Sequence, residues 1–345
     1  MHQLRMGTLG TARITESALL EPARHVPDVT VTGVAARDKA RAEAFALRHA
    51  LPAAYGSYDE LLADPDIDAV YNPLPNSQHG PWTLKAIAAG KHVLCEKPFA
   101  SNTAQAEQVA AAASASGLVV MEAMHYRYHP LVQRLRELVA ELGPVRHLQC
   151  WTSFVISDPA DIRYDYDLAG GALMDGGCYA VDCLRLLGGG EPSVSGALAD
   201  PWPSRRAAAG EAADRATAVR LTFGGAGGGG EGAGGGGATG WFESAFTRDG
   251  DFRADVHVSC RDGQVRMQNF ILAHEGRVIA TRKGSVIADE RASGVTTTYA
   301  YQLRAFAAAI EAGPAGTVPT SAAQAVATMR VIDDAYRASG LALRQ

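Results

Sequence analysis

Several features are absent from this 345-residue sequence, and each absence removes a class of protein. No apolar run reaches the roughly 18 residues of a membrane-spanning helix, and "MHQLRMGTLG" contains no signal-peptide core. We therefore expect a cytoplasmic protein with no membrane partner. A net charge of -5 gives no basic footprint for nucleic acid. A small-molecule substrate is the better expectation.

The cysteines are few and scattered, and no two form a C-x-x-C pair. This pattern indicates neither a zinc site nor a disulfide framework, so we expect reduced thiols and no metal. The five cysteines are Cys95, Cys150, Cys178, Cys183 and Cys260.

The chain is long enough for two domains, and its texture changes near residue 122. Before that point, short apolar runs such as "VTVTGVAA" and "HVLCEKP" alternate with helical patterns such as "DKARAEAFALRHA". This alternation predicts an α/β domain at 1–122 with a doubly wound, parallel Rossmann sheet. Its ligand crevice should lie beyond the carboxyl ends of the strands.

Strand-like segments joined by Gly and Asp turns dominate the remainder, for example "VRHLQCWTSFV", "DVHVSC" and "RVIATR". They predict an α+β domain at 123–345 with an open, mostly antiparallel sheet, for substrate binding and oligomerisation. A helix at about 320–340 could pack back on the first domain. Residues 224–240 hold 12 glycines in 17 positions, which we interpret as a flexible loop because such a tract has little side chain to bury.

The segment "GTLGTARIT" fits the dinucleotide fingerprint imperfectly, because Gly10 fills its first position but Ala12 and Thr15 replace the later glycines. It follows the first predicted strand and opens a helix, where backbone N–H groups can hold a pyrophosphate. A tight strand-to-helix turn is the alternative. The remaining residues expected against the cofactor here are Thr11, Arg13 and Ile14.

The second predicted strand ends at Ala36 and Arg37, where an NAD site would offer Asp or Glu to the ribose. Arg37 could pair with a 2′-phosphate, so we expect NADP, with NAD possible. The alternative is a solvated arginine at a helix start. The loop "YNPLPNSQHGPW" should also line the cofactor, through Pro73, Leu74, Asn76 and His79. His79 could equally pack or begin a helix.

Two further segments carry candidate chemistry. In "GGALMDGGCYAVDCLRLLGG", a helix would place Asp175, Tyr179 and Asp182 on one face. Glycines inside it imply that a ligand or another domain packs closely there. A tyrosine needs a neighbouring ammonium to serve as an acid/base near neutral pH, because the positive charge favours the phenolate. Lys97 of "HVLCEKPFA" could supply that ammonium. The alternative is a half-buried core tyrosine.

Taken together, these segments resemble the Gfo/Idh/MocA oxidoreductases, the family of glucose-fructose oxidoreductase, inositol dehydrogenase and dimeric dihydrodiol dehydrogenase. The matching pieces run through most of the chain in family order. They are "GTLGTARI", "NPLPNSQHGPWTLKAIAAGKHVLCEKP", "MEAMHYRYHP", "GPVRHLQC" and "DIRYDYDLAGGALMDGGCYAVD", together with the C-terminal helix.

The resemblance implies roles for particular residues. The lysine of E-K-P, Lys97, would contact the substrate oxygen beside the nicotinamide, and Glu96 would lie near the nicotinamide ribose. The D-x-G-x-H/Y-x-x-D pattern makes Tyr179 the acid/base, with Asp175 ordering the substrate or the tyrosine–lysine pair. Tyrosine at that position resembles the glucose-fructose oxidoreductase and dihydrodiol dehydrogenase branches and weakens an inositol assignment. The candidate substrate residues are Tyr126, Arg127, Asp161 and Arg163, each of which could instead be an interface or packing residue.

These expectations describe an NADP(H)-dependent oxidoreductase of a sugar, polyol or diol, acting as a homodimer or homotetramer. Two alternatives stay open. One is a non-catalytic regulator with the same fold, and the other is a glycosidase that recycles bound NAD.

Overall fold

A computed structural model describes residues 3–202, 211–224, 237–313 and 318–345 of the chain. Within these ranges no helix is long and apolar enough to cross a membrane. The glycine-rich loop predicted at 224–240 lies largely outside the described residues, because 225–236 are not among them. All five cysteines lie in the described residues, and they are buried and form no disulfide.

The described residues contain fourteen strands. They are β1 (Leu4–Leu9), β2 (Val29–Ala35), β3 (Ala53–Tyr55), β4 (Ala69–Asn72), β5 (His92–Cys95), β6 (Val120–Glu122), β7 (Val145–Val155), β8 (Pro192–Pro201), β9 (Asp214–Phe223), β10 (Thr239–Thr247), β11 (Arg253–Cys260), β12 (Gly263–Gln268), β13 (Arg277–Arg282) and β14 (Ser285–Arg291).

Nine α-helices lie in the described residues, several begun by a polar side chain that accepts a hydrogen bond from the first turn, as Asp38 and Asn102 do. They are α1 (Glu21–Ala23), α2 (Lys39–His49), α3 (Tyr58–Ala63), α4 (Asn76–Ala88), α5 (Thr103–Ser116), α6 (Pro130–Glu141), α7 (Cys178–Gly188), α8 (Thr298–Ala312) and α9 (Ala322–Ser339). A π-helical turn, Glu16–Leu20, precedes α1, and another, Leu173–Gly177, precedes α7.

The chain divides into two compact units, and each combines two stretches of sequence. The first unit comprises 1–128 and 296–326, and the second comprises 129–295 and 327–345. Residues 123–128 and α8 therefore belong with the Rossmann sheet, beyond the boundary expected at residue 122. Helix α9 begins in the first unit and ends in the second. A division of labour between the units stays a prediction.

The first unit is built on a six-stranded parallel sheet in the order β3-β2-β1-β4-β5-β6. Strand order reverses between β1 and β4, which is the switch point where such sheets bind ligands. Buried residues of β1, β4, β5 and α8 form one core cluster, including Met6, Tyr71, Leu94 and Phe306. The carboxyl ends of β1, β4 and β5 consequently share one edge of the sheet.

The second unit is built on an eight-stranded sheet in the order β14-β13-β12-β11-β7-β10-β9-β8. Among the described strands of this second sheet, β7 and β10 pair in parallel and every other neighbouring pair is antiparallel. Alternate residues of β9, β10 and β11 are buried, so one face of the sheet packs and the other is open. The π-helical turn Leu173–Gly177 and α7 pack on the buried face of β7 and β10.

The predicted fold class, a Rossmann sheet followed by a mostly antiparallel sheet, is confirmed. The segments quoted for β7 and β13 match these strands residue for residue. The predicted segment 170–189 is not one regular helix, because its first part is a π-helical turn. The π-helical turn changes the spacing on which a shared face for Asp175, Tyr179 and Asp182 was based.

Candidate active site

The fingerprint turn at the end of β1 has the backbone geometry expected of a phosphate-binding turn. Gly10 has φ +88° and donates its N–H to the Ala35 carbonyl at 2.7 Å. A Cβ at Gly10 would lie 3.1 Å from Leu74 Cδ2, so a side chain would be both strained and crowded. Thr11 and Ala12 are half-buried, while Arg13 and Ile14 are exposed. The turn can therefore approach a ligand closely.

The exposed Arg37 has a second arginine beside it that sequence reasoning missed. Arg41, one turn into α2, donates to the Thr11 hydroxyl at 3.2 Å. Burial raises the pKa of Tyr58, and the positive charges of Arg37 and Arg41 act against that rise. Arg41 follows Arg37 by four residues, and this spacing was visible in the sequence. Tyr58 packs edge-on to Trp82, with the ring centroids 4.8 Å apart.

The loop after β4 is fixed by buried polar contacts. Asn72 donates to the His79 carbonyl at 3.1 Å and to the Thr83 hydroxyl at 3.2 Å. The His79 ring lies between the carbonyl oxygens of Pro98, 2.6 Å from Nδ1, and Leu74, 2.7 Å from Nε2. Burial lowers the pKa of His79 to about 4. His79 thus ties the loop to the E-K-P segment and does not point to solvent.

Glu96 and Lys97 lie directly after β5. Glu96 is buried, and its carboxylate accepts a hydrogen bond from the Tyr71 hydroxyl at 2.7 Å. The Glu96 backbone N–H donates to the Asn72 carbonyl at 3.0 Å, and this hydrogen bond links the ends of β4 and β5. Lys97 is only half-buried, and the Lys97–Pro98 peptide bond is cis. Buried contacts therefore fix the neighbouring backbone, while part of the Lys97 side chain stays exposed.

These groups fit a dinucleotide. The fingerprint turn, the β4 loop with Pro73, Leu74 and Asn76, and the Glu96–Lys97 pair all follow strands that end at the same sheet edge. Gly10 adds no side chain to the turn, and the exposed Arg37 and Arg41 supply positive charge after β2.

In the second unit, the π-helical turn places Asp175 next to an arginine. Asp175 is 8% exposed, and its carboxylate accepts a hydrogen bond from Arg163 Nε at 2.9 Å. Arg163 also donates to the Asp161 carboxylate at 3.1 Å, and these anions raise its pKa. Three predicted site residues are thus brought together: Asp161, Arg163 and Asp175. Tyr179, 4% exposed, follows one turn later, in α7.

The remaining features of this helix are structural. A Cβ at Gly176 would lie 2.6 Å from Ser244 Oγ and 2.8 Å from Phe154 Cε2, so the sheet itself packs closely on this glycine. The sheet therefore explains why position 176 is a glycine, and neither a ligand nor a second domain is needed to explain it. Asp182 lies 4.0 Å from Arg185 Nη1 in a buried ion pair, which accounts for its position in the helix.

Tyr126 and Arg127 belong to the first unit, whereas Asp175 belongs to the second. Tyr126 is fully buried, and half-buried Arg127 donates to the Pro319 carbonyl at 3.4 Å. The neighbouring His125 hydrogen-bonds the Thr298 hydroxyl at 2.8 Å and stacks on Tyr299. His125 therefore packs against the start of α8.

Comparison with family models now places these residues in a known framework. Residues 4–124 match the model described as an oxidoreductase family with an NAD-binding Rossmann fold, and residues 132–266 match the GFO/IDH/MocA C-terminal domain. The chain belongs to the Gfo/Idh/MocA family of oxidoreductases. It is an NAD(P)-dependent oxidoreductase.

Several relatives and solved structures match the chain, some of them over nearly its whole length. The D-xylose 1-dehydrogenase (NADP(+)) 2 of Haloferax volcanii is 35% identical over 352 residues, covering 97% of each chain. The trans-1,2-dihydrobenzene-1,2-diol dehydrogenase of Sus scrofa is 40% identical over 47% of this chain and 48% of its own. A 3-ketoreductase from Actinomadura kijaniata, solved with NADP and TDP-benzene, superposes with a TM-score of 0.82 at 26% identity over 98% of both chains. An aldose-aldose oxidoreductase from Caulobacter crescentus gives the same TM-score, identity and coverage.

Proposed function

We propose that the chain is an NADP(H)-dependent oxidoreductase that moves a hydride between the nicotinamide and a hydroxyl or carbonyl carbon of a sugar, polyol or diol. The observation that carries the proposal is the pairing of Arg163 with the buried Asp175 at 2.9 Å, one turn before Tyr179. A carboxylate and a phenol are costly to bury without a purpose or a partner. The full-length similarity to an NADP-dependent xylose dehydrogenase supports the same reaction class.

NADP is the cofactor that the comparisons and the turn around Gly10 both support. The xylose dehydrogenase is named for NADP, and the 3-ketoreductase was solved with it. In this chain, Arg37 and Arg41 would hold the 2′-phosphate, and the backbone from Gly10 to Ile14 would hold the pyrophosphate. Pro73, Leu74, Asn76 and Glu96 would line the nicotinamide half. When bound, the cofactor supplies the hydride acceptor or donor.

Tyr179 takes the hydroxyl proton during oxidation and returns it during reduction. Lys97 orients the substrate oxygen and offsets the negative charge that develops on it. Asp175, held by Arg163, orients the substrate or the Tyr179–Lys97 pair, and Asp161 fixes Arg163 from the other side. Lys97 lies in the first unit and Tyr179 in the second, so their partnership stays part of the proposal. So do the substrate contacts of Tyr126 and Arg127.

The decisive experiment is a panel of aldoses, polyols and diols assayed in both directions with NAD and NADP at 340 nm. Turnover with net formation or loss of NADPH supports the proposal. A binding regulator would give no turnover, and a glycosidase that recycles its cofactor would hydrolyse substrate without a net change at 340 nm. The panel also identifies the substrate within the sugar and diol class.

Two variants then test the assigned roles. Tyr179→Phe and Lys97→Ala should each lower kcat by about 10²- to 10⁴-fold, because each removes a group that assists proton transfer or charge stabilisation. The dissociation constant of NADPH should change little, since these groups act on the substrate oxygen. Near-normal kcat in both variants would exclude these roles.

Homo-oligomerisation also stays a proposal. On the open face of the second sheet, Trp151 makes edge contacts with Trp241 on one side and His257 on the other. Light scattering would show whether the chain pairs as a dimer or tetramer.

A further inference from the structure

The helix start that carries Asp175 is attached to a buried charge cluster from distant parts of the second unit. Asp214, the first residue of β9, is fully buried. One of its carboxylate oxygens, Oδ2, accepts from the Leu173 N–H at 2.7 Å and from the Thr217 hydroxyl at 2.8 Å. The other, Oδ1, accepts from the Tyr336 hydroxyl at 2.7 Å and from Arg344 Nη2 at 3.0 Å.

Arg344 supplies the cation of this cluster and also holds the chain before the helix. It is fully buried, and its Nε donates to the Gly170 carbonyl at 2.8 Å. Its guanidinium lies 4.1 Å from the ring centroid of Tyr336 and 4.9 Å from that of Tyr166. The Tyr166 hydroxyl in turn donates to the Leu343 carbonyl at 2.6 Å. These contacts hold the Arg344 side chain in place, so it can fix the position of the Gly170 carbonyl.

These contacts reach Asp175 through two backbone links. Leu173, whose N–H is held by Asp214, is the first residue of the π-helical turn and stands two positions before Asp175. The Asp175 N–H donates to the Gly171 carbonyl at 3.0 Å. Gly171 directly follows Gly170, whose carbonyl accepts from Arg344. Both ends of the short segment 170–173 are therefore fixed by the same ion pair.

We propose that Arg344 and Asp214 are positioning residues for Asp175 and Tyr179. The proposal rests on the function proposed above. Removing the Arg344 cation leaves the Asp214 carboxylate buried without its counter-charge, so the carboxylate must move towards water or other donors. Leu173 and the helix start would follow it. A displacement of about 1 Å at a reacting group can lower the rate about 100-fold.

The test uses Arg344→Met, which keeps most of the side-chain volume but none of its donors. We expect kcat to fall about 100-fold per folded molecule, with the NADPH dissociation constant unchanged. Folded molecules are counted by the stoichiometry of NADPH binding, because the cofactor groups lie in the first unit. Hydrogen exchange of the backbone amides in residues 171–182 should become faster.

The matched control is Arg136→Met, which removes an exposed arginine of α6 in the same unit that donates to Gln133. It should alter neither kcat nor exchange in 171–182. A kcat for Arg344→Met equal to that of the control would overturn the proposal. If Arg344→Met does not fold, Arg344→Lys decides, because it keeps the charge but loses the separate donors to Gly170 and Asp214. A lower kcat per folded molecule then supports the proposal, and a wild-type kcat overturns it.

The same experiments distinguish a failure of the proposed function from a failure of the positioning role of Arg344. Tyr179→Phe is assayed in the same series, and wild-type turnover in that variant removes the proposed acid/base without bearing on Arg344. Even if no substrate turns over, the exchange of residues 171–182 still shows whether Arg344 holds the helix start. Unchanged exchange in Arg344→Met would overturn the positioning role under that condition.

Discussion

The two units present their functional groups in opposite ways. In the first unit, Arg37 and Arg41 are exposed at the sheet edge, where charge is easily hydrated until a ligand meets it. In the second unit, Asp175 and Tyr179 are buried, and fixed charges hold the helix start in place. A site for a charged cofactor can be assembled from surface groups at little cost to stability. A site that must aim a proton-transfer group depends on buried partners, and substitutions there should affect folding and function together.

Glycines with positive φ show this contrast most strongly. A Cβ at Gly171, where φ is +135°, would lie 2.1 Å from Asp214 Oδ1 and 2.9 Å from the Tyr336 hydroxyl. Gly171→Ala should therefore lower the free energy of unfolding by about 4 kcal/mol, combining backbone strain with overpacking of fixed polar groups. Gly10→Ala meets only the movable end of Leu74 and should lose about 1–2 kcal/mol.

Urea unfolding followed by tryptophan fluorescence and circular dichroism measures both losses. Gly189→Ala is the control, because Gly189 has φ +77° and no atom within 4 Å of its Cβ position. It carries the backbone strain alone. Equal losses in Gly171→Ala and Gly189→Ala would contradict the tight packing of the Asp214 cluster around Gly171.

Acid should weaken the first unit through His79, whose pKa is lowered to about 4 because the ring is buried. The folded protein then binds this proton less readily than the unfolded chain, whose pKa is 6.5. The stability due to neutral His79 is fully present above pH 6.5 and is lost as the pH falls through about 4. The difference corresponds to at most about 3 kcal/mol.

Urea titrations between pH 7.5 and 4 would measure this loss of stability. His79→Gln removes the titrating ring, and His25→Gln, which removes an exposed histidine, is the control. The dependence on pH should become shallower in His79→Gln only. Because the ring faces two carbonyl oxygens, a dominant effect of those oxygens would reverse the sign and make the wild type more stable on acidification, which would refute the prediction.

The smallest expected effect is on cofactor choice. Arg37→Ala and Arg41→Ala should each weaken NADPH binding about tenfold, which corresponds to losing one charge-assisted contact of about 1.4 kcal/mol. NADH binding and thermal stability should stay the same, because both arginines are exposed. Arg48→Ala, an exposed arginine at the end of α2, is the control. An equal loss of NADH affinity would show that these arginines do not recognise the 2′-phosphate.

The sequence predicted what periodicity and local motifs encode. Strand-like segments joined by Gly and Asp turns predicted β7 and β11. The alternation of strands and helices predicted the Rossmann sheet and the edge at which Gly10 and Glu96 lie. Shorter elements, less apolar elements and one helix distant in sequence were not predicted. β3 has three residues, β8 and β14 expose much of their length, and α8 is distant in sequence from the sheet on which it packs.

The details of the site depend on contacts that no local pattern records. Asp214 and Arg344 are 130 residues apart, and each alone resembles an ordinary charged residue. The π-helical turn before α7 depends on the packing of Gly176 against Ser244 and Phe154, which are supplied by other strands. The pairing of Arg163 with Asp175 was likewise not predicted, although both residues were candidates.

The parallel pairing of β7 with β10 has a consequence for synthesis of the chain. β7 occupies the middle of its sheet, yet both of its neighbours, β10 and β11, follow it by about 90 residues or more. At translation rates of roughly 5–20 residues per second, β7 leaves the ribosome at least several seconds before either partner exists. During that interval its apolar face and both backbone edges are unprotected. Nascent chains that stop between β7 and β10 should therefore bind chaperones or aggregate, whereas those extended beyond β11 should not.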